Sequence, residues 1–450
     1  MNQTVIAQLE AIVGARYVAP AADGNRIVVK PASTEQISQC LKILNEIEVP
    51  VVTLGGMTGL VRGTEMFDDA VAISTERLAT IRSLDVSRKQ LTVDAGVKLE
   101  DIQRYVADHR LRYGVDLGAR GSCTIGGTIA TNAGGTSVVR FGMTRANVVG
   151  LEVVLPNGAV LTNLGGLAKD NTGYDLKQVF IGSEGTLGII TQAVLKLTAA
   201  NSDTASVLLA LETMDNALDL MRSLQDRCGE SLLALEIMWN RYFRAVSENV
   251  FKDGSGPMSR DYPIYILAQV EAGARSAEDI IAEAVDSMDT LLDSALASTN
   301  AQQSALWAVR DGSDFIEHRH AEVLSYDVSM RPQDYLAYIE EVEAALRQDL
   351  PGAIPYYFGH LADGNVHFMI GHDKNVDHAH KLVDRAVYEP LSRFWPSSIS
   401  AEHGIGREKA DHLWRCRSDA EIDTMNAIRR ALDPKRILNP HIQFHKSPAA

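Results

Sequence analysis

The 450-residue sequence contains only four cysteines, scattered at positions Cys40, Cys123, Cys228 and Cys416. They form no CxxC pair and no regular spacing, which argues against a disulfide framework, a zinc ribbon or an iron–sulfur cluster. The chain also lacks any long block of lysine or arginine, and its formal net charge is -15. Nucleic acid and anionic membrane surfaces are therefore not expected as general partners.

Long apolar runs are missing as well. The N-terminal stretch MNQTVIAQLEAIVG has no basic segment followed by an apolar run, and no 18-residue apolar span follows it. Its residues 3–13 have helical spacing instead. These absences, together with the scattered cysteines, predict a soluble protein of the reducing cytoplasm. What remains is a globular composition, 46% hydrophobic and 22% charged, with enough length for two or three domains.

Glycine is concentrated in residues 121–135, GSCTIGGTIATNAGG, which contain two glycine doublets. Glycine permits positive φ and close approach to the main chain, so such a stretch can cradle phosphate oxygens with backbone N–H groups. A flexible surface loop is the alternative. Residues 54–60, which follow a predicted strand, and residues 169–191 are also rich in small residues. Three such segments could grip one extended ligand.

The glycine pattern also limits the kind of nucleotide site. Residues 54–60, LGGMTGL, match neither GxGxxG nor GxxxxGK[ST]. A nicotinamide-binding Rossmann domain and a P-loop nucleotidase are therefore poorly supported. The glycine clusters end near residue 198. Beyond it, predicted strands such as residues 205–211 and 262–270 alternate with predicted helices such as residues 214–227, 277–292 and 332–346. This pattern predicts a second domain of α+β type.

The second informative segment is residues 357–369, YFGHLADGNVHFM. His360 and His367 are seven positions apart and would face opposite ways on one unbroken strand. The Asp-Gly-Asn sequence between them predicts a hairpin that folds the two imidazoles toward each other, as in a shared metal site. Glu402, beside His403, could add a carboxylate and leave positions open for a substrate. A purely structural histidine pair is the alternative.

These ordered motifs resemble the flavin-dependent D-2-hydroxyacid dehydrogenases of the vanillyl-alcohol oxidase superfamily, above all D-2-hydroxyglutarate and D-lactate dehydrogenases. The resemblance extends from about residue 20 to Pro440. It implies an α+β fold with a PCMH-type FAD-binding domain of two α/β subdomains over residues 1–197. An α+β cap domain with the substrate and metal site would span residues 198–417, and residues 418–450 would return to the FAD domain.

The resemblance implies a set of FAD-binding residues that are small or present their backbone to the cofactor. They are Leu54, Gly55, Gly56, Met57, Thr58, Gly59, Leu60, Gly121, Ser122, Thr124, Ile125, Gly126, Gly127, Ala130, Thr131, Asn132, Gly134, Gly135, Gly142, Glu184, Gly185, Gly188, Ile189, Ile190 and Asn439. No histidine precedes His109, so we expect FAD to be non-covalent, with Cys123 a packed thiol.

The same resemblance assigns His360, His367 and Glu402 as ligands of a divalent metal, expected to be zinc, and His403 as the acid/base. A metal bound to the substrate's 2-hydroxyl would lower the hydroxyl pKa. Neutral His403 could then take the proton while the Cα hydride moves to the flavin. Asn365, in the hairpin turn, would face the flavin or the substrate, with a turn role as the alternative.

Arg310 matches the family's carboxylate-binding arginine, although a surface salt bridge explains it equally well from the sequence alone. The hydroxyglutarate enzymes grip the second carboxylate with a threonine and a lysine, and these correspond to Asp314 and Ser325. Ser325 is thereby a substrate-binding candidate, whereas an acid at 314 would repel a second carboxylate. Smaller departures are Ala362, Thr128 and Arg62, at positions where glycine, asparagine and glycine are usual.

The implied function is oxidation of a small D-2-hydroxy acid to the 2-oxo acid. No cysteine-rich or haem-binding extension is present, so electrons are expected to pass to a separate acceptor such as electron-transfer flavoprotein or a quinone. Oxygen as the acceptor and a non-catalytic flavin-binding subunit are the alternatives. The particular hydroxy acid, the metal and the oligomeric state, homodimer or otherwise, are left open by the sequence.

Overall fold

The computed structural model describes residues 3–20, 26–65, 67, 69–201, 203–286, 288–373 and 376–447. The chain forms two compact units. The first comprises Met1–Gly135, Phe141–Ala200 and Glu402–Ala450, and the second comprises Thr136–Arg140 and Asn201–Ala401. The sequence places the last boundary after residue 417, whereas the units divide after Ala401, because the loop beyond it is hydrogen-bonded within the first unit.

The chain up to Ala200 contains short helices and three- to eleven-residue strands. The helices are α1 Gln3–Val13, α2 Thr34–Glu46, α3 Leu99–Ala107, α4 Ile125–Thr131, α5 Val138–Phe141 and α6 Lys177–Phe180. The strands are β1 Val18–Pro20, β2 Ile27–Val29, β3 Val51–Leu54, β4 Val71–Ser74, β5 Ile81–Asp85, β6 Gln90–Asp94, β7 Leu111–Tyr113, β8 Val148–Val154, β9 Val160–Asn163 and β10 Ile189–Ala199.

Two sheets organise the first unit. The smaller has the order β1-β2-β4-β3, with β4 parallel to both β2 and β3. The larger has the order β5-β6-β10-β8-β9, with β7 paired to β10, and is antiparallel. A turn at Gly158 joins β8 and β9 as a hairpin, in which Val154 pairs with Val160.

Helix α4 lies within the glycine-rich stretch for which the sequence suggests a cradle or a loop. Its Ile125 and Ile129 are buried, and it ends at Asn132, whose φ is 51°. A Cβ on Gly126 would lie 2.7 Å from the Cβ of Ala95, so glycine allows the helix to pack directly against the chain leaving β6. Gly126 therefore serves helix packing, a use of glycine that periodicity does not reveal.

The C-terminal segment returns to the first unit and extends its smaller sheet. Helix α14, Asp419–Leu432, begins with a capping box between Ser418 and Glu421. After it, Leu438 forms a parallel bridge with Val51 of β3. Buried Arg429 donates to the carbonyls of Leu438 and Asn439 at 2.9 and 3.1 Å, which fixes this bend.

The described part of the second unit combines an eight-stranded sheet with helices. The strands are β11 Thr204–Leu211, β12 Leu232–Trp239, β13 Ile264–Glu271, β14 Leu291–Ala297, β15 Glu322–Met330, β16 Ile354–His360, β17 Asn365–His372 and β18 Ser397–Ser398. The helices are α7 Met214–Cys228, α8 Asn240–Val250, α9 Ala277–Val285, α10 Asn300–Arg310, α11 Asp314–Glu317, α12 Tyr335–Asp349 and α13 Ala379–Tyr388.

The sheet of the second unit is antiparallel, with the order β14-β11-β13-β12-β16-β17-β15-β18. Helices α8 and α10 pack on one face, around a core that includes Met238, Tyr242, Phe358 and Met369. The predicted helix over residues 277–292 is wrong at its end, because α9 stops at Val285. The chain then pairs with β11 as the edge strand β14.

None of the helices in the part of the chain that the structure describes combines the length and the apolar character needed to cross a membrane.

Candidate functional site

A cavity of about 310 Å³ lies in the first unit, within the size range of small-molecule sites. Its walls are the loop after β3, helix α4 and the segment before β10. Seventeen of the predicted cofactor residues line it: Gly55, Gly56, Met57, Thr58, Gly59, Leu60, Thr124, Gly126, Gly127, Ala130, Thr131, Gly134, Glu184, Gly185, Gly188, Ile190 and Asn439. The three segments singled out in the sequence thus meet around one space.

The other eight predicted cofactor residues do not line the cavity. Ile125 and Ile189 belong to the hydrophobic core. The side chain of Asn132 accepts from the amide of Arg145 at 2.9 Å. The remainder are Leu54, Gly121, Ser122, Gly135 and Gly142. Sequence reasoning missed lining residues that carry no pattern of their own, among them Thr53, Thr75, Gly118 and Ala133.

The cavity fits a flavin dinucleotide in two respects. The buried side-chain oxygens of Thr53 and Thr124 have no hydrogen-bond partner among the described residues, and both residues line the cavity. A Cβ on Gly56 would lie 2.2 Å from the carbonyl oxygen of Ser122. The loop after β3 therefore reaches the backbone of Ser122 because Gly56 has no side chain, and the two segments together expose polar backbone to the cavity.

Glu184 lines the cavity, but its carboxylate is engaged by protein. Its two oxygens accept the backbone amides of Ile405 and Gly406, each at 2.7 Å. Burial raises the pKa of the Glu184 carboxyl, although these two N–H groups and Lys409 act in the opposite direction. Asn439 donates to the Glu184 carbonyl at 2.6 Å and accepts from the Thr53 amide at 3.1 Å. Glu184 thereby anchors the loop that begins with Glu402 and His403.

Glu402 and His403 both line the same cavity. One carboxylate oxygen of Glu402 accepts the backbone amide of Gly135 at 2.9 Å. Gly135 has a φ of 111°, and a Cβ on it would lie 1.8 Å from the carbonyl oxygen of Asp116, so only glycine can present its amide here. The end of the glycine-rich stretch thus orients the Glu402 carboxylate.

Cys123 also lies in the cavity wall, with 4% of its surface exposed. Burial raises the pKa of its thiol to about 11. A thiol in this state is a packed apolar group with little thiolate character near neutral pH.

In the second unit, the predicted hairpin joins β16 and β17 at Gly364, and the two histidines fall on one face of the sheet. His360 is paired with Asn365, and His367 with Phe358, so the imidazoles are diagonal neighbours. Their ring centroids are 5.4 Å apart, and a ring nitrogen of each lies within 4.8 Å of the other. Two imidazoles this close fit two ligand positions of one divalent ion.

Arg310 and Glu236 form a charged cluster with His360. The His360 side chain is nearly fully buried. The Arg310 Nε donates to Glu236 Oε2 at 2.6 Å, and His360 Nδ1 lies 2.8 Å from Glu236 Oε1. Arg310 Nη2 lies 3.1 Å from His360 Nε2, and its guanidinium stands 5.3 Å from the centroid of Phe358. The surface salt bridge that the sequence leaves open for Arg310 does not describe this buried arrangement.

The charges of this cluster stabilise each other. Burial alone would raise the pKa of Glu236, but the charge of Arg310 and the contact with His360 outweigh burial and hold the pKa below its ordinary value. Burial by itself lowers the pKa of Arg310, and the Glu236 carboxylate and Asp311 more than reverse that effect. Both side chains are therefore ionised at neutral pH, as a buried ion pair.

Asn365 and His367 have different surroundings. The buried side chain of Asn365 has no hydrogen-bond partner among the described residues. His367 is paired across the sheet with Asp327, a fully buried acid on β15 that also accepts from Ser400 at 3.4 Å. An unsatisfied buried amide is costly, so the position of Asn365 suits contact with a ligand better than a purely structural turn.

Ser325, predicted to bind the substrate, and Asp314, expected to repel a second carboxylate, both lie outside the cluster of Glu236, Arg310 and His360. Ser325 is exposed and is paired with Met369 across β15 and β17. Asp314 is exposed at the start of α11. Two residues that depart from the usual family pattern are also located by the structure. Thr128 lines the cavity, and Arg62 forms an ion pair with Glu65.

Glu236 is the functional candidate that sequence reasoning missed. It stands in LLALEIMW, where every other residue of the strand is apolar. A single acid inside a buried strand must have a buried cationic or hydrogen-bonding partner. The isolated acid in this apolar strand was therefore the sequence feature that could have identified Glu236. The sequence does not say that the partner is Arg310, which is 74 positions away.

The fold and the glycine-walled cavity are those of an FAD-binding protein, and the solved structures that share this fold include one of the PCMH type. Residues 26–163 match the family model described as FAD binding domain, and residues 200–442 match FAD linked oxidases, C-terminal domain. The chain belongs to this family of FAD linked oxidases. The p-cresol methylhydroxylase structure with substrate bound has the same fold, with a TM-score of 0.76, 15% identity, and coverage of 98% of this chain and 96% of that chain.

Relatives of greater sequence similarity confirm the resemblance to D-2-hydroxyacid dehydrogenases. D-2-hydroxyglutarate dehydrogenase of Xanthomonas citri pv. viticola is 35% identical over 94% of this chain and 90% of its own length. The D-2-hydroxyglutarate–pyruvate transhydrogenase of Saccharomyces cerevisiae is 33% identical over 93% of this chain and 86% of its own length.

Proposed function

We propose that this protein is an FAD-dependent dehydrogenase that oxidises a D-2-hydroxy acid to the 2-oxo acid. The observation that carries the proposal is that His403 lines the same glycine-walled cavity as the residues predicted to hold the flavin. A proton acceptor beside a flavin is what the oxidation of an alcohol requires. The relatives named for D-2-hydroxyglutarate support the substrate class.

In this proposal, FAD is held non-covalently by the three backbone-rich segments around the cavity. Bound FAD supplies the acceptor for the Cα hydride, and a bound divalent ion supplies polarisation of the substrate's 2-hydroxyl. His403 takes the hydroxyl proton, and Arg310 binds the substrate carboxylate through its Nη1–Nη2 edge. Asn365 contributes the buried amide that has no partner among the described residues.

The base role of His403 can be tested by replacing His403 with alanine. We expect anaerobic flavin reduction by substrate to slow by about 10²–10⁴-fold, the usual contribution of general base catalysis, with a much smaller change in substrate affinity. Stopped-flow absorbance of the flavin band measures both quantities. A reduction rate equal to that of the unaltered protein would remove His403 from the base role.

We propose that His360 and His367 bind the divalent ion, with zinc as the leading candidate, and that Glu402 is the third ligand. The pair of neighbouring imidazoles supports the first two assignments. The assignment of Glu402 as the third ligand rests on the resemblance to the D-2-hydroxyacid dehydrogenases. Exhaustive chelation is expected to abolish flavin reduction while FAD stays bound, because the histidine pair lies outside the unit that contains the glycine cavity and Glu402 is also held by the Gly135 amide. Full activity without metal, checked by elemental analysis, would refute the assignment.

We further propose that the reduced flavin passes its electrons to a separate acceptor, such as electron-transfer flavoprotein or a quinone. Mixing the anaerobically reduced protein with aerated buffer tests this point. Slow reoxidation is expected for a dehydrogenase, whereas reoxidation by oxygen at the turnover rate would make the protein an oxidase. A panel containing lactate, malate, 2-hydroxyglutarate and larger apolar D-2-hydroxy acids, scored by flavin bleaching, would identify the substrate.

A further inference from the structure

We propose that Glu236 is a positioning residue that fixes both the substrate-binding face of Arg310 and the metal-binding nitrogen of His360. It is the only residue on β12 with a charged side chain, and it is fully buried. Its two carboxylate oxygens have different partners, Arg310 Nε for Oε2 and His360 Nδ1 for Oε1. One carboxylate therefore sets the orientation of two side chains from different elements.

The hydrogen-bond geometry determines which nitrogen of His360 carries the proton. The Glu236 carboxylate can only accept, so Nδ1 of His360 must donate to it across 2.8 Å. Arg310 Nη2, at 3.1 Å from Nε2, can only donate, so Nε2 must accept. Both neighbours require the same neutral tautomer. Nε2 is thus the nitrogen that carries the lone pair, and Glu236 keeps it unprotonated. A metal takes this lone pair only when Arg310 Nη2, which now donates to it, turns away.

The same contact restricts Arg310. With Nε held by Glu236, the guanidinium plane cannot rotate freely. The Nη1–Nη2 edge, whose Nη1 also lies 3.4 Å from Asp311 Oδ1, is the part that a substrate carboxylate would use. The backbone at Arg310 is fixed as well, because the Tyr242 hydroxyl donates to its carbonyl at 2.7 Å. The stacked ring of Phe358, 4.2 Å from Tyr242 by centroids, lies under this arrangement. Removing the Glu236 charge would leave a buried guanidinium free to turn toward other acceptors.

The decisive variant is Glu236→Gln, compared with Glu343→Gln as a matched control. Glu343 accepts the hydroxyl of Tyr357 at 3.1 Å, so it is a carboxylate bonded to the same strand, β16, through a residue that points to the other face. We expect Glu236→Gln to weaken zinc binding by about 10–100-fold, as replacement of residues that orient metal ligands usually does. We also expect KM to rise more than kcat falls, with FAD content unchanged. The control variant should change none of these.

Glu236→Asp is a second variant for the case in which Glu236→Gln does not fold. It keeps the charge but is too short to reach both partners, so zinc affinity and KM should be intermediate. Equilibrium dialysis with zinc measures affinity, and the flavin spectrum confirms that the protein is folded. If a folded, FAD-loaded variant of Glu236 binds zinc and substrate as the unaltered protein does, Glu236 has no positioning role.

The metal and substrate measurements rest on the proposed function, whereas the tautomer does not. Long-range ¹H–¹⁵N correlation spectra of histidine-labelled protein, with the His360 signal assigned by its loss in His360→Asn, report the tautomer directly. We expect a protonated Nδ1 for His360 in the metal-free protein. A protonated Nε2 would overturn the positioning role even if the dehydrogenase activity is found, and the expected Nδ1–H tautomer would stand even if the substrate class proved different.

Discussion

Glu184 shows how far a residue's role can differ from the role its motif suggests. The resemblance assigns it to FAD, and it does line the cavity, yet both carboxylate oxygens bind the loop amides of Ile405 and Gly406. The loop continues from Glu402 and His403. The proposed chemistry thus also depends on side chains that hold other protein groups in place, as Glu236 illustrates.

Replacement of Glu184 by glutamine should test the loop anchor. A glutamine has one acceptor oxygen, and its NH₂ group would face the second backbone N–H, so about 1–3 kcal/mol of loop stabilisation should be lost. We expect FAD to remain bound and its reduction by substrate to slow. Anaerobic stopped-flow measures the rate. Glu100→Gln, which changes an exposed acid on α3, is the control, and equal rates in the two variants would contradict the anchor.

Replacement of Arg310 by lysine should separate charge from geometry at the carboxylate site. Lysine keeps the positive charge but cannot bond Glu236 and present a two-nitrogen edge at the same time. The loss of one charge-assisted bond, about 1.5–3 kcal/mol, predicts a rise in KM of about 10–100-fold. Steady-state kinetics with an artificial electron acceptor gives the value. An unchanged KM would mean that the charge alone suffices.

At the scale of elements, the hairpin between β16 and β17 determines the register of the histidine pair. Gly364 at its turn has a φ of 83°, and a Cβ there would lie 2.5 Å from the Met330 carbonyl oxygen on β15. The turn therefore packs against the neighbouring strand in a way that only glycine permits. A shift of one residue in this register would move His360 or His367 to the other face of the sheet.

Gly364→Ala is thus expected to destabilise the protein and to weaken metal binding. Gly352→Ala is a matched comparison, because Gly352 has a φ of 95° but no atom within 4 Å of the position that a Cβ would take. Backbone strain alone should lower the free energy of unfolding of Gly352→Ala by about 1–2 kcal/mol. A larger loss is expected for Gly364→Ala, since the contact with Met330 adds to it. Thermal unfolding measures both, and equal losses would show that the contact is relieved without cost.

The contact between the two glycine segments of the first unit gives a second prediction at this scale. Gly56→Ala would drive a Cβ into the Ser122 carbonyl, so the loop after β3 and the segment before α4 must separate. We expect the purified variant to contain less FAD, measured by the flavin absorbance released on denaturation. Gly165→Ala, whose Cβ would meet only ordinary contacts in a loop outside the cavity, should keep its FAD. Full FAD content in Gly56→Ala would refute the close-contact argument.

At the scale of the whole molecule, buried thiols make stability depend on alkaline pH. Burial raises the pKa of Cys40 to about 12 and that of Cys123 and Cys228 to about 11, against about 8.5 in an unfolded chain. The unfolded chain releases these protons first as the pH rises. The stabilisation is therefore complete below about pH 8.5 and is lost as the pH rises toward 11–12, by at most about 1.4 kcal/mol per pH unit for each thiol.

Urea unfolding at pH 8 and pH 10 should show this loss, and Cys40→Ala should show a smaller decrease over the same interval. Cys40 lies on α2 with none of its surface exposed, so its thiol is expected to titrate only on unfolding. If the two proteins lose stability equally between pH 8 and pH 10, the Cys40 thiol does not contribute.

Local features of both units could be predicted from the sequence, because they depend on neighbours in the chain. The helical spacing of residues 3–13 matches the observed bounds of α1, and the Asp-Gly-Asn turn lies between His360 and His367 as expected. The bonds from Glu184 to Ile405, from Glu402 to Gly135 and from Glu236 to Arg310 could not be predicted. Each joins positions far apart in the chain, and periodicity contains no information on such partners.

The first unit is assembled from both ends of the chain, with Leu438 bridged to Val51 and Asn439 bonded to Thr53 and Glu184. During synthesis, the second unit is complete on the ribosome before the last residues of the first have been made. The loop anchored by Glu184 and the strand bridge at Val51 therefore form only after Ile405 and Leu438, respectively, have been synthesised. We therefore expect a chain that ends before Leu438 to retain less FAD than one that includes Asn439, because Asn439 lines the cavity.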